Sequence, residues 1–217
     1  MDTPIAQVLI VDDHPLYLDG VTALLRDLFG AVNILQAATG RDALAIAGGR
    51  SDLDWIFLDY TLPDCTGLTL LRTLRENMVT APVVMVSGAD QVALVTEALD
   101  LGASGFIAKT GARDDYRQCL AVIEAGGTYL PAGVAQAVAH YRATVQTERN
   151  RIRKQISQRQ NDVLLLIAAG YSNGEIATAL GISEHTVKAH VSTLMQLLNA
   201  DNRVHCIAEA RELGLIG

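Results

Sequence analysis

The chain has 217 residues, half of them hydrophobic, with 17 Lys and Arg against 24 Asp and Glu and a formal charge of −7. That length holds one large domain or two small ones with a substantial core, and the acidity excludes a protein that coats nucleic acid or anionic membrane over its whole surface. Residues 1–147 carry 9 basic against 17 acidic side chains and residues 148–217 carry 8 against 7, an asymmetry expected of two domains with different tasks.

Five short apolar runs, residues 8–11, 32–37, 55–58, 83–86 and 106–108, alternate with amphipathic stretches over the first 130 residues. Strands alternating with helical patterns indicate a doubly wound parallel sheet. Pro15 suits the first turn of a helix whose buried stripe is Leu16, Val21, Leu24, Leu25 and Leu28. Thr39 is placed to cap the next helix, with Asp42 near its positive end. Leu68, Leu71 and Leu74 mark a third helix, Val92, Val95 and Leu99 a fourth, and Cys119, Leu120 and Ile123 a fifth. The unit is (βα)5, α/β, with the flavodoxin-like strand order 2-1-3-4-5.

In such a sheet ligands bind beyond the carboxyl ends of the strands, and three strands here end in charged groups: Asp12-Asp13, Asp59 and Lys109. The run from Trp55 to Leu58 is apolar at every position, as in a strand covered on both faces, and delivers Asp59 to that edge. An Asp pair after a strand is, alone, often only a helix-start cap. Combined with Asp59 and Lys109 it reads as a site. Clustered carboxylates repel one another, and a hard divalent cation with oxygen ligands, typically Mg2+, offsets that repulsion and shields an incoming phosphoryl group from its nucleophile. Lys109 can neutralise a phosphoryl oxygen, and Ser87 can donate a hydrogen bond to it. His14 reads as a residue that opens a helix, and Trp55, Tyr60 and, taken singly, Phe106 read as core.

The ordered set Val11-Asp12-Asp13-His14-Pro15, Leu58-Asp59, Pro63, Gly67, Ser87 and Phe106-Ile107-Ala108-Lys109 resembles the receiver domain of two-component response regulators. The resemblance implies that Asp59 is phosphorylated by a sensor histidine kinase. It also implies that Asp13, Asp59 and the Thr61 carbonyl bind Mg2+, that Asp12 assists through water, and that Ser87 and Phe106 form a switch pair.

Residues 131–155 read as a partly helical linker that carries one basic cluster, Arg149, Arg151, Arg153 and Lys154, solvated by default. In residues 156–217, Ser157 with Gln160 and Ser172 with Glu175 have capping-box spacing, Ser183 precedes a third helix, and Gly170 and Gly181 end the first two. Val187, Val191, Leu194 and Leu198 give that third helix one apolar face, opposite Glu184, Lys188, Ala189 and Ser192. A short supporting helix, a tight turn and a longer helix with a small polar face suit a helix-turn-helix that enters a major groove.

The stretch from Ser172 to Val191 resembles the LuxR/NarL-type DNA-binding domain, an all-α four-helix unit. The resemblance implies that Lys188, Ala189 and Ser192 face base edges of promoter DNA, that Thr186 and His190 lie near the backbone, and that the last helix, residues 204–213, supplies a homodimer contact. Family members often carry a basic residue where this chain has Gly174, Ser192, Met195 and Gln196, and residues 156–217 hold four basic against six acidic side chains. Phosphate neutralisation supplies most non-specific affinity, so a second reading keeps the phosphorylation switch but makes the output a protein-interaction module with weak or lost DNA binding. A dehalogenase-like phosphatase would want a second Asp at position 61, where Thr61 stands. Lone cysteines at 65, 119 and 206 and the lack of an apolar run of membrane-spanning length fit a cytoplasmic protein, and the two resemblances imply a regulator rather than an enzyme.

Overall fold

A computed structural model describes residues 5–88 and 91–216, and the chain divides into two compact units at residue 139. The first unit contains β1 (Ala6–Val11), α1 (Pro15–Phe29), β2 (Val32–Ala37), α2 (Gly40–Ala47), β3 (Trp55–Asp59), α3 (Gly67–Glu76), β4 (Val83–Ser87), α4 (Val92–Asp100), β5 (Gly105–Ala108) and α5 (Arg113–Glu124). The five strands are parallel, in the order β2-β1-β3-β4-β5.

Strand side chains alternate between faces, and this sheet buries both sets. Val8 and Ile10 of β1, with Trp55 and Phe57 of β3, join Val21 and Leu25 of α1 and Tyr116, Cys119 and Leu120 of α5 in one core. Leu9, Val11, Ile56 and Leu58 point the other way, into a core with Ala43 of α2, Leu71 and Leu74 of α3 and Val95 and Ala98 of α4. Every residue of the central strand β3 is buried, whereas β2, paired on one side only, is buried throughout only at Ala37. The sheet therefore needs apolar residues at every central position, which is the pattern the sequence shows.

Helix starts follow their caps. Thr39 Oγ1 accepts the Asp42 N–H at the head of α2, and Thr66 Oγ1 accepts that of Thr69 at the head of α3. One expected core residue is displaced: Leu16 is 89% exposed, while Val21 and Leu25 are buried. At about 100° per residue, Leu16 lies roughly 140° around α1 from Val21, off the sheet-facing stripe.

Helix α6 (Ala132–Gln155) is continuous, not partly helical as the sequence suggested. Its apolar residues are taken up locally: Val138 packs into the core of the first unit, and Ile152, 1% exposed, into that of the second. Arg151, Arg153 and Lys154 of the basic cluster are exposed.

The second unit adds α7 (Gln158–Ala168), α8 (Asn173–Leu180), α9 (Glu184–Leu197) and α10 (Arg203–Glu212). Ser157 with Gln160 and Ser172 with Glu175 form reciprocal capping boxes, and Ser183 caps α9 through the Thr186 N–H. Gly181, at φ 65°, makes the left-handed turn between α8 and α9, a conformation glycine adopts without a Cβ penalty. Val163, Leu164, Ile176, Val187, Val191, Leu194, Cys206 and Ala210 close the core.

Candidate functional site

Parallel strands all end at one edge, and the register fixes what meets there. Val11 of β1 pairs with Leu58 of β3, so Asp12 and Asp59 leave the sheet side by side. Lys109 follows β5, two strand spacings or roughly 10 Å from β3, and its long side chain spans the gap. Its Nζ lies 2.7 Å from Asp12 Oδ2 and donates to Asp59 Oδ2 at 2.8 Å. That oxygen of Asp12 is buried and paired with the ammonium. The other oxygen of Asp12 accepts the His14 N–H at 2.8 Å. Lys109 also sits over the ring of Tyr17, 5.0 Å from its centroid.

Two carboxylates share one ammonium in a nearly water-free place, and the electrostatics follow. Burial pushes the Asp59 carboxyl above the usual range; Lys109 and the Thr61 N–H oppose this, while Asp12 adds to it. Burial works against the Lys109 ammonium, but Asp12 and Asp59 together outweigh it and hold its pKa above the ordinary lysine value.

The structure brings Asp12, Asp13 and Asp59 together as the sequence indicated, and adds His14. Donor atoms of Asp12, Asp13, His14 and Asp59 all lie within 4.8 Å of one another. The sequence reading of His14 as merely the residue that opens α1 is therefore incomplete. It is the N-cap of that helix, and its Nδ1 also stands 2.9 Å from Asp12 Oδ1 and 2.8 Å from Asp13 Oδ1.

Ser87 ends β4 with its backbone carbonyl accepting the Lys109 N–H at 2.8 Å. Phe106 pairs with Met85 across β4 and β5, is 3% exposed, and belongs to the core, as its single-residue reading had it. Ser87 and Phe106 nevertheless line one cleft, with Tyr60, Leu94, Val95 and Ala98. Trp55 is packing: its ring lies against Phe57 and Phe29.

Sequence reasoning missed one support of the loop that follows Asp59 and gave no steric role to another, Gly67. Asp64 reaches back to α2, where its oxygens accept the Gly40 and Arg41 N–H groups at 2.8 and 3.0 Å. Those bonds hold its carboxyl below the usual range. The other is steric. A Cβ on Gly67 would overlap the Asp59 carbonyl oxygen and approach Tyr60 Cα to 2.9 Å, so α3 closes on β3 only with glycine there.

In the second unit Val187, Val191 and Leu194 of α9 face the core, and Glu184, Lys188, Ala189 and Ser192 are exposed together on the outer face. Thr186 and His190 are half-buried along its border. Lys188 Nζ is 3.5 Å from Glu184 Oε1. Arg159 and Arg203 are spent internally, donating to the carbonyls of Leu180 and Tyr171. The outer face of α9 is small, polar and accessible.

The response regulator receiver domain family matches residues 8–121, and the bacterial regulatory proteins of the luxR family match residues 154–210. The glycerol metabolism activator of Pseudomonas putida is 34% identical over 211 residues, covering 95% of this chain and 96% of that protein. The nitrate/nitrite response regulator NarP of Escherichia coli is 35% identical over 200 residues, 91% of each chain. RcsB of Salmonella enterica serovar Typhimurium, solved bound to a promoter in the presence of the phosphomimetic BeF3−, shares the fold with a TM-score of 0.56 at 23% identity, covering 97% of this chain and 100% of its own. These are families of transcriptional regulators rather than enzymes, and the match of the second unit does not favour an output that has lost DNA. Among the described residues no helix is long and apolar enough to cross a membrane. The chain belongs to the response regulators of the NarL/LuxR family, in which a receiver domain precedes a LuxR-type DNA-binding domain.

Proposed function

We propose that Asp59 accepts a phosphoryl group from a sensor histidine kinase and that this modification controls how α9 engages promoter DNA. The observation that carries the reading is the pair of distances from Lys109 Nζ, 2.7 Å to Asp12 and 2.8 Å to Asp59. They put a fixed positive charge beside the one buried carboxylate that ends the central strand.

The donor set fits Mg2+: hard carboxylate oxygens of Asp12, Asp13 and Asp59 gathered at one strand edge, within 4.8 Å of one another. Asp13, Asp59 and the Thr61 carbonyl would hold it, with Asp12 acting through water. When bound, Mg2+ neutralises the charge that collects between the acids and the incoming phosphoryl oxygens. The rest is done by the chain. An Asp59 oxygen attacks phosphorus, the phosphorus–nitrogen bond of the kinase phosphohistidine breaks, and the imidazole leaves with the electron pair. Lys109 follows the new negative charge onto a phosphoryl oxygen. Ser87 donates its hydroxyl hydrogen to another, and Phe106 packs behind it in the cleft they share.

An acyl phosphate adds about −1.5 to −2 charges, enough to bias a two-state surface that pairs receivers. The product is a homodimer that presents two α9 helices to half-sites about one turn of DNA apart. Lys188, Ala189 and Ser192 read base edges, while Thr186 and His190 contact the backbone. Val204, exposed on α10, supports a dimer contact on that helix. Such a protein works in the cytoplasm, where its DNA and the kinase domain are found and where Cys65, Cys119 and Cys206 stay unpaired, as they are here. In this arrangement residues 1–130 form the receiver, 131–155 the connecting segment and 156–217 the output domain.

Mobility shift on a promoter library, with and without a small acyl-phosphate donor, tests the coupling. Donor-dependent binding that disappears in Asp59→Asn supports it; binding indifferent to donor and to that substitution contradicts it.

A further inference from the structure

Lys109 must keep its ammonium beside Asp59 and yet offer it to a phosphoryl oxygen, although its long stem has many rotamers. The two acids hold it with Nζ 2.7 Å from Asp12 Oδ2 and 2.8 Å from Asp59 Oδ2. The ammonium also lies over the face of Tyr17, 5.0 Å from the ring centroid, inside the separation of about 6 Å at which an aromatic ring attracts a cation. His14 Nδ1 stands 3.3 Å from the same Nζ, on a side chain that is 63% exposed.

We propose that Tyr17 is a positioning residue for Lys109: its ring face holds the ammonium at the strand edge while leaving the N–H donors to Asp59 and to the incoming phosphoryl group. The inference rests on the reading of Asp59 as phosphoacceptor and names what sets the place of its cation. An extra carboxylate in place of the ring would compete with the phosphoryl oxygens for those donors, and an aliphatic side chain would not attract the charge at all. A ring face attracts it through the quadrupole. A cation already in place needs little reorganisation when negative charge arrives beside it.

The fold fixes the ring for this task. Tyr17 lies four residues before Val21 and eight before Leu25, so it opens the sheet-facing stripe of α1 and packs against that core. Its hydroxyl shares a hydrogen bond with that of Tyr116 at 2.6 Å. Tyr116, on α5, is 2% exposed and packs against Phe57 of the central strand, ring centroids 6.0 Å apart. Burial pushes both hydroxyls above the usual phenol range, so both stay neutral and one donates to the other. The ring is thus tied at its hydroxyl to α5 and presents its face to Lys109.

The test follows labelling of the full chain by a small acyl-phosphate donor in Mg2+ buffer, with wild type and Asp59→Asn as references. Tyr17→Leu should slow Asp59-dependent labelling about tenfold. Tyr17→Phe, which keeps the ring face, should recover most of that rate, and Tyr17→Leu added to Lys109→Met should cost nothing further. Proton NMR reads the geometry itself: the Lys109 ε-methylene protons, assigned by their loss in Lys109→Met, should be shifted upfield by the ring in wild type and Tyr17→Phe but not in Tyr17→Leu. A wild-type rate in folded Tyr17→Leu, equal losses in Tyr17→Phe and Tyr17→Leu, or an undiminished effect in Lys109→Met would overturn the positioning role and leave Asp59 as acceptor. Unshifted Lys109 protons in the wild type would overturn it too, whether or not Tyr17→Leu folds. Label that persists in Asp59→Asn removes the acceptor reading, and this inference with it.

Discussion

The ammonium of Lys109 donates to Asp59 Oδ2 at 2.8 Å although β4 lies between the strands that deliver the two residues. That reach keeps an otherwise unfavourable arrangement together, since Asp59 is buried beside a second acid. The receiver holds charge where a stability-optimised core would hold none.

Removing one of the two acids should therefore stabilise the protein without added metal. The Asp59 carboxyl is raised above its unfolded value mainly by burial, so the folded chain holds that proton more tightly than the unfolded one. Stability then falls as pH rises from the ordinary carboxyl value near 4 through the raised one. Asp59→Asn should gain about 1 kcal/mol at neutral pH and flatten this part of the pH profile. Urea unfolding followed by circular dichroism between about pH 4 and pH 8 checks both; lower stability at neutral pH would contradict the electrostatic account.

Lys109→Met takes the shared cation from Asp12 and Asp59 while keeping a side chain of similar length. The folded chain should then take up phosphoryl label from a small donor far more slowly and fail to couple the label to DNA binding. Stopped-flow uptake and mobility shift measure the two effects separately.

Gly67→Ala puts a methyl group against the Asp59 carbonyl. Overpacking of this kind costs about 1 to 3 kcal/mol, and here it also displaces the strand end that carries the phosphoacceptor. Both the urea midpoint and the labelling rate should drop, whereas Gly174→Ala, where a Cβ meets nothing within 4 Å, should not lower stability.

Lys188 stands on the exposed face of α9 with Glu184 as its salt partner among the described residues. Lys188→Ala should weaken a specific site by about 1 to 3 kcal/mol and relax discrimination at one base pair. A uniform loss on all sequences would instead assign it to the phosphate backbone. Fluorescence anisotropy on matched and mismatched duplexes distinguishes the two.

Arg75 donates to the carbonyls of Val79, Ala81 and Gly102, tying the turn after α3 to the turn after α4. Arg75→Ala should cost about 1 to 3 kcal/mol, since it leaves partly buried carbonyls unmatched. Thermal unfolding reads the loss; an unchanged midpoint would show that water replaces the guanidinium freely.

What was legible in the sequence is what local chemistry dictates. A strand apolar at every position, such as Trp55 to Leu58, has one stable home, and the carboxylate after it follows to the sheet edge. Ser157, Ser172 and Ser183 announced their helices because the cap lies three residues from its partner. The features that stayed hidden join distant segments. Asp64 holds α2 from 24 residues away, and Arg75 reaches Gly102 across 27. The exposure of Leu16 depends on the rotation of α1, which a list of apolar positions does not fix, and the closeness of the His14 ring to two carboxylates depends on side-chain torsions that the sequence does not fix.

The central claim is that Asp59 is the phosphoryl acceptor, and peptide mapping after treatment with a small acyl-phosphate donor tests it most directly. The account predicts a hydroxylamine-labile phosphoryl group on the peptide containing Asp59, absent from Asp59→Asn. A stable phosphoryl group on another residue, or label that persists undiminished in Asp59→Asn, would contradict it.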